Sequence, residues 1–234
     1  MSPTPENEFA LRAPAAPGGW IGTDEAGKGD YFGPLVVAAV YVHEQTATLL
    51  RQAGVRDSKT LSDKRIGELA AEIRRTCPVR IVAVGPERYN ALYADMKNLN
   101  RLLAWAHARA IEDLLGEVDC ERVISDQFAD ERVLRRAMQA KGKLVHLEQR
   151  HRAETDIAVA AASIVARGEF VGRLARLSQQ VGIELAKGAG PPVLAAAKRY
   201  VTTHGAAALG KVAKLHFRTT QQVIAAAGAS TATR

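Results

Sequence analysis

At 234 residues, 47% of them hydrophobic, the chain is long enough for one well-buried domain and too short for two large ones. No window of about 18 residues is uninterruptedly apolar, and the first 19 residues lack the charged start and hydrophobic centre of a signal peptide; this excludes a helical membrane span and points to the cytoplasm. The formal net charge of +7 sits at one end, because the stretch after Glu184 carries seven of the 32 Lys and Arg and none of the 25 acidic residues. A basic surface of this kind attracts a polyanion such as nucleic acid, although charge alone is read equally well as a solvated helical face.

Residues 1–19, with four prolines, read as a flexible leader. Trp20 to Asp24 is a short strand, glycines 27, 29 and 33 punctuate the chain after it, and the β-branched run Leu35 to Val42 is a buried strand paired with the first. Helical patterning covers Glu44 to Ala53 and resumes from Ser62, an N-cap residue, through Arg75, with Asp57-Ser58-Lys59 between them. Val79 to Val84 is a third strand ended by Gly85-Pro86, and Asn98 caps a long helix whose Leu102, Leu103, Ala106, Ala110, Leu114 and Leu115 recur at helical spacing. His107 in that helix reads as a core or surface histidine rather than a ligand. A fourth strand, Arg122 to Ser125, delivers Asp126; a short helix spans Asp130 to Ala140, and Leu144 to Leu147 is a fifth strand. The alanine-rich helix Thr155 to Leu177 has the small side chains needed for close packing, Gly188 to Pro192 is a loop, and the last 40 residues are helical with breaks at Gly205 and Gly210. Cys77 and Cys120 read as two buried thiols. The order implies a mixed sheet flanked by helices, a single α/β domain over 20–225 with a tail at 226–234.

Asp24 and Glu25 are adjacent, and on a regular strand neighbouring side chains face opposite ways, so the chain is expected to turn there if both are to reach one site. Asp126, at another strand end, can join them. Three converging carboxylates repel one another unless a divalent cation compensates, and hard oxygen donors suit Mg²⁺ or Mn²⁺. Two such ions roughly 3.5–4 Å apart promote phosphoryl transfer, whereas any one of these acids alone reads better as a solvated loop residue or cap. The Gly27-Lys28-Gly29 turn lets backbone groups approach a ligand and offers Lys28 to a phosphate; it can also detect a ribose 2′-hydroxyl, or merely make a tight turn. Neither the P-loop nor the dinucleotide fingerprint is present.

These residues resemble the prokaryotic type 2 and type 3 ribonucleases H. Gly22 to Pro34 is similar to their shared Asp-Glu-(Ala/Val)-Gly-x-Gly signature, with a continuation, Asp30-Tyr31-Phe32-Gly33-Pro34, that favours type 3. Further matches are Asp57-Ser58-Lys59, Asn98-Leu99-Asn100, Asp126-Gln127-Phe128, Ala160 to Arg167, Lys187-Gly188-Ala189 and Lys214-Leu215-His216-Phe217, covering residues 20 to 225. The resemblance implies an RNase H-like fold with a mixed five-stranded sheet, and endonucleolytic cleavage of the RNA strand of an RNA/DNA hybrid with Mg²⁺ or Mn²⁺, two ions with substrate bound. It implies Asp24, Glu25 and Asp126 as metal ligands. The family uses a fourth catalytic carboxylate, for which Glu154 is the first choice and Asp130 and Asp156 compete. Gly27, Lys28, Gly29, Lys59, Lys187 and Lys214 are the expected substrate contacts.

Type 3 enzymes usually carry an additional N-terminal substrate-binding domain, and here 19 residues precede the first strand. The basic C-terminal section is therefore expected to grip phosphates through Lys187, Lys198, Arg199, Lys211, Lys214 and Arg218. Tyr200 is read as a packing residue, with stacking on a sugar or base as the alternative. The protein is expected to act as a monomer. The competing readings are a type 2 enzyme incising at single ribonucleotides in duplex DNA and a catalytically silent nucleic-acid-binding protein.

Overall fold

A computed structural model of the chain describes residues 18–56, 58, 61–139 and 141–231. Five strands form one sheet in the order β3-β2-β1-β4-β5: β1 (Trp20–Ala26), β2 (Leu35–Val42), β3 (Val79–Val84), β4 (Arg122–Asp126) and β5 (His146–Arg150). β2 runs antiparallel to both β1 and β3, while β4 lies parallel to β1 and β5 parallel to β4. The expected mixed five-stranded sheet flanked by helices is what the chain forms.

All eight residues of β2 are buried, because both faces of the sheet are covered. Val36, Ala38, Val40 and Val42 face a core built with α6 (Ile157–Val181), α1 (Glu44–Gln52), α2 (Asp63–Thr76) and α7 (Pro191–His204). Val37, Ala39 and Tyr41 face the opposite core, supplied by α4 (Leu99–Leu115) and α5 (Glu131–Ala137). Two-residue alternation along one strand thus serves two separate cores.

The alanine run does what small side chains allow. Gly22 on β1 lies against α6 so closely that a Cβ there would meet the carbonyl carbon of Ala158 at 2.1 Å, and the helix backbone rests directly on the strand. Ser62 and Asn98 cap α2 and α4 as expected, accepting from the N–H groups of Arg65 and Arg101.

The remaining helices mark differences from the sequence reading. Gly85-Pro86 ends β3 but also opens an eleven-residue helix, α3 (Pro86–Met96), since proline is well placed at a first helical position. Likewise Pro191 begins α7 inside the expected loop. A 3₁₀ turn, Ala206–Lys211, follows, and α8 (Arg218–Thr231) carries the chain helically through most of the stretch expected as a tail. The leader at 1–17 lies outside the described residues, as does Lys59. Cys77 and Cys120 are buried and free, and Tyr200 is buried, its hydroxyl donating to the Ala208 carbonyl.

Candidate active site

β1 and β4 are sequence-distant but lie side by side, with Thr23 opposite Ser125, so Asp24 and Asp126 end neighbouring strands on the same side of the sheet. The chain does not turn between Asp24 and Glu25 as expected. β1 stays paired through Ala26, opposite Val36, and the two carboxylates leave opposite faces of the strand. Asp24 is bonded by Ser163 of α6 and Glu25 by His107 of α4. Both nevertheless line one space, because the pairing of β1 with β4 stops at Thr23 and Ser125 and beyond it the sheet no longer separates its faces on that side.

That space is a cavity of about 490 Å³ lined by Asp24, Glu25, Asp126 and Glu154 together with Gly27, Asp30, Ser58, Ser163, Arg167 and Lys187. Glu154 reaches it from a 3₁₀ turn, Ala153–Thr155, just before α6. Its two competitors are engaged elsewhere. Asp156 caps α6, accepting from Ala158 and Val159 N–H, and also accepts from the Trp20 indole at 3.0 Å. Asp130 is exposed and caps α5 through the Arg132 N–H.

Electrostatics divide the adjacent pair. Burial pushes the Asp24 carboxyl up to about 7, with the charge of Glu25 adding to the shift, against hydrogen bonds from Ser163 and from the Glu25 N–H at 2.8 Å. Burial also opposes ionisation of Glu25, but the hydrogen bond and attraction from His107, together with Lys28, outweigh it and hold that carboxyl below its usual range. The distances are 3.1 Å from Glu25 Oε2 to His107 Nε2 and 3.4 Å from Glu25 Oε1 to Lys28 Nζ. The other ring nitrogen of His107 meets Thr23 Oγ1 at 2.9 Å, and the ring stacks on Phe128 with centroids 4.7 Å apart. Asp126 is oriented by the Ala153 N–H at 3.2 Å.

Among the described residues no three His, Cys, Asp or Glu side chains are gathered tightly enough to chelate an ion as they stand. The donor set still fits a hard divalent cation. Four carboxylates line one cavity, and Asp24, raised first by burial and then by the charges of Glu25 and Asp126, is a hard oxygen donor whose ionised form a cation would stabilise.

The expected substrate contacts separate into three groups. Gly27 and Lys187 line the cavity, Lys28 is partly exposed beside Glu25, and Gly29 is exposed with open space around it. Lys187 is exposed but paired with Asp63 at 2.6 Å, which lowers the pKa of that carboxyl. Lys214 corrects the expectation. It is fully buried, its Nζ satisfied by backbone carbonyls, so it touches no phosphate from this position.

Sequence reasoning gave no site role to His107, Ser163 or Arg167. The last two interrupt an otherwise small and apolar helix, a pattern that marks polar groups with a fixed partner: Ser163 bonds Ser58 Oγ at 2.9 Å, and Arg167 donates to the Ser58 carbonyl at 2.8 Å. His107 gave no such signal, being a single histidine on an apolar face.

Comparison with known proteins agrees with this geometry. The family model described as Ribonuclease HII matches residues 21–220. Ribonuclease HIII of Protochlamydia amoebophila (strain UWE25) is 47% identical over 208 residues, covering 89% of this chain and 69% of the relative. Ribonuclease HIII of Chlamydia muridarum is 46% identical, covering 87% and 69%. Among solved structures, that of Bst-RNase HIII in complex with Mn²⁺ superposes with a TM-score of 0.83 at 34% identity, over 89% of this chain and 70% of that one. Aquifex aeolicus RNase H3 gives 0.69 at 30% identity, over 85% and 72%. With the signature on β1, its partner acid on β4 and relatives of this kind, the chain belongs to the ribonuclease HII family of hydrolytic endonucleases and is of the ribonuclease HIII type.

Proposed function

We propose that this protein hydrolyses the RNA strand of continuous RNA/DNA hybrids with a divalent cation, Mg²⁺ or Mn²⁺, at Asp24, Glu25 and Asp126, with Glu154 as the fourth catalytic carboxylate. The observation that carries the reading is the convergence of four acids from three separate segments on one cavity, next to a glycine-rich turn with exposed backbone. When bound, such cations, expected as two, supply charge neutralisation at the scissile phosphate and activation of water. The Mn²⁺ held by the Bst relative supports the choice of ion.

The chain's own residues have distinct tasks in this reading. Asp24 and Asp126 offer oxygens from adjacent strand ends, and Glu25 is kept ionised and pointed by His107. Glu154 lines the cavity from a short turn and is half-buried, so that it can exchange protons with water near the cleaved bond. Gly27 to Gly29 presents backbone groups to the sugar edge, where a 2′-hydroxyl distinguishes RNA from DNA. Lys28 and Lys187 meet phosphates, Lys187 by leaving Asp63. Lys198, Arg199, Lys211 and Arg218 are exposed on the C-terminal elements and extend the basic surface.

The unit that acts is residues 20–225, working as a monomer in the cytoplasm; no helix among the described residues is long and apolar enough to cross a membrane. The test is cleavage of a continuous hybrid beside a DNA duplex carrying one ribonucleotide, each with Mg²⁺ or Mn²⁺. Preferred cleavage of the continuous hybrid, abolished by Asp126→Asn with binding retained, supports the reading. Preferred incision at the single ribonucleotide moves the protein to type 2 specificity, and binding without any cleavage makes it a silent nucleic-acid binder.

A further inference from the structure

Lys214 lies between the 3₁₀ turn Ala206–Lys211 and α8, beside the buried Val212 and Ala213. Its Nζ donates to the carbonyls of Asp30 at 2.7 Å and Gly33 at 2.8 Å, and reaches that of Phe32 at 3.4 Å. Its own backbone N–H donates to the Tyr31 carbonyl at 2.9 Å. One residue thus holds four consecutive carbonyls of the segment that closes the glycine-rich turn. The ring of Tyr89 covers the ammonium from the side of α3, 5.6 Å from Nζ.

An ammonium has three hydrogens, and here three carbonyls meet them. The arrangement is costly, since burial pushes the amine down to about 7 against the opposing pull of Asp30, and an apolar side chain of similar volume would avoid that cost only by leaving the three carbonyls without a donor. Carbonyl oxygens aimed at a single point repel one another unless something positive stands between them. The ammonium therefore defines a backbone path that residues 30–33 would not keep alone. The same segment is tied on its outer side, where Asp30 Oδ1 accepts from the Gly188 N–H at 2.6 Å and the Tyr31 N–H donates to the Gly188 carbonyl at 2.8 Å.

We propose that Lys214 is a positioning residue for substrate recognition, fixing residues 30–33 from beneath and thereby setting the Gly27–Gly29 turn against the sugar edge of the hybrid. This rests on the reading of that turn as the part that meets the ribose. The carboxylates of β1 precede the turn and are held by strand pairing with β2 and β4, so the effect falls on binding and not on the hydrolytic step.

The experiment compares wild type with Lys214→Met, which keeps the stem and removes the charge, in steady-state cleavage of a continuous hybrid. The expected result is a KM raised about tenfold with kcat within about threefold. In an Asp126→Asn background, the preference for hybrid over all-DNA duplex should fall by a similar factor. Lys214→Arg keeps a buried cation but cannot seat it on the same three carbonyls, and carries the same signature if Lys214→Met does not fold. A folded variant with KM and preference unchanged, or with kcat alone reduced, overturns the proposal while leaving hybrid cleavage by the wild type intact. A wild-type protein that leaves the hybrid uncut removes the reading beneath it, and the proposal too.

Discussion

Asp24 and Glu25 share a peptide bond, yet one is held toward its neutral form and the other toward its charged form. For Asp24 the folded-state pKa of about 7 lies above the 3.8 of an ordinary aspartate, so in metal-free protein the folded state binds the extra proton between those values. Stability is therefore lost as pH rises through that window, and the loss is complete above about pH 7. Asp24→Asn removes the penalty. At pH 8 without metal it should unfold roughly 2–4 kcal/mol harder than wild type, the advantage fading toward pH 4, while cleavage is abolished. Chemical denaturation across pH 4–8 measures this, and a constant difference across the range contradicts it. His107 is the second case. Removing it frees Glu25 and strands the Thr23 hydroxyl, so His107→Ala should cut kcat by about 10–100-fold, weaken activation by Mg²⁺ in titrations and leave KM for the hybrid nearly unchanged. A KM effect alone would show that His107 matters only to packing. The sequence left His107 as either a core or a surface histidine, and its partner Glu25 comes from a strand 82 positions away, so no local pattern encodes that meeting.

At the scale of elements, the glycines of the signature have different jobs. Gly22 has no room for a side chain because α6 lies on it, whereas Gly29 has nothing within 4 Å of where a Cβ would stand. Gly22→Ala should cost roughly 3 kcal/mol or prevent the carboxylates from assembling, since strand and helix must separate. Gly29→Ala should leave the melting temperature nearly unchanged and raise KM for the hybrid, because it alters only the exposed turn. Equal thermal losses in both would contradict the division. Hydrophobic alternation and cap residues made β2, β3, α2 and α4 readable with close boundaries. Asp24 and Glu25 were read less well. The expectation that both must lie on one face called for a turn, whereas β1 outruns its pairing with β4 and so lets opposite faces share a cavity.

At the scale of the molecule, the positive end of the chain is not one surface. Lys198, Arg199 and Arg218 are exposed, Lys187 is exposed but paired, and Lys214 is enclosed. Replacing Lys198, Arg199 and Arg218 together by Gln should weaken hybrid binding and flatten the slope of log affinity against log salt by about 2–3, if each meets a phosphate. Filter binding or fluorescence anisotropy at several salt concentrations reads the slope, and an unchanged value would falsify their role in the grip. The sequence by itself determined the chemistry available: the acidic pair, the glycine turn, the positive C-terminal section and the periodicities that make strands and helices. Those are properties of residue type and short-range spacing. Only the tertiary structure decided that β4 lies beside β1, bringing Asp126 to Asp24, that Glu154 faces the cavity while Asp156 caps a helix, and that Lys214 lies under the loop instead of on the substrate. Each of those depends on contacts between segments far apart in the chain, where burial and not residue type settles what a charge can touch.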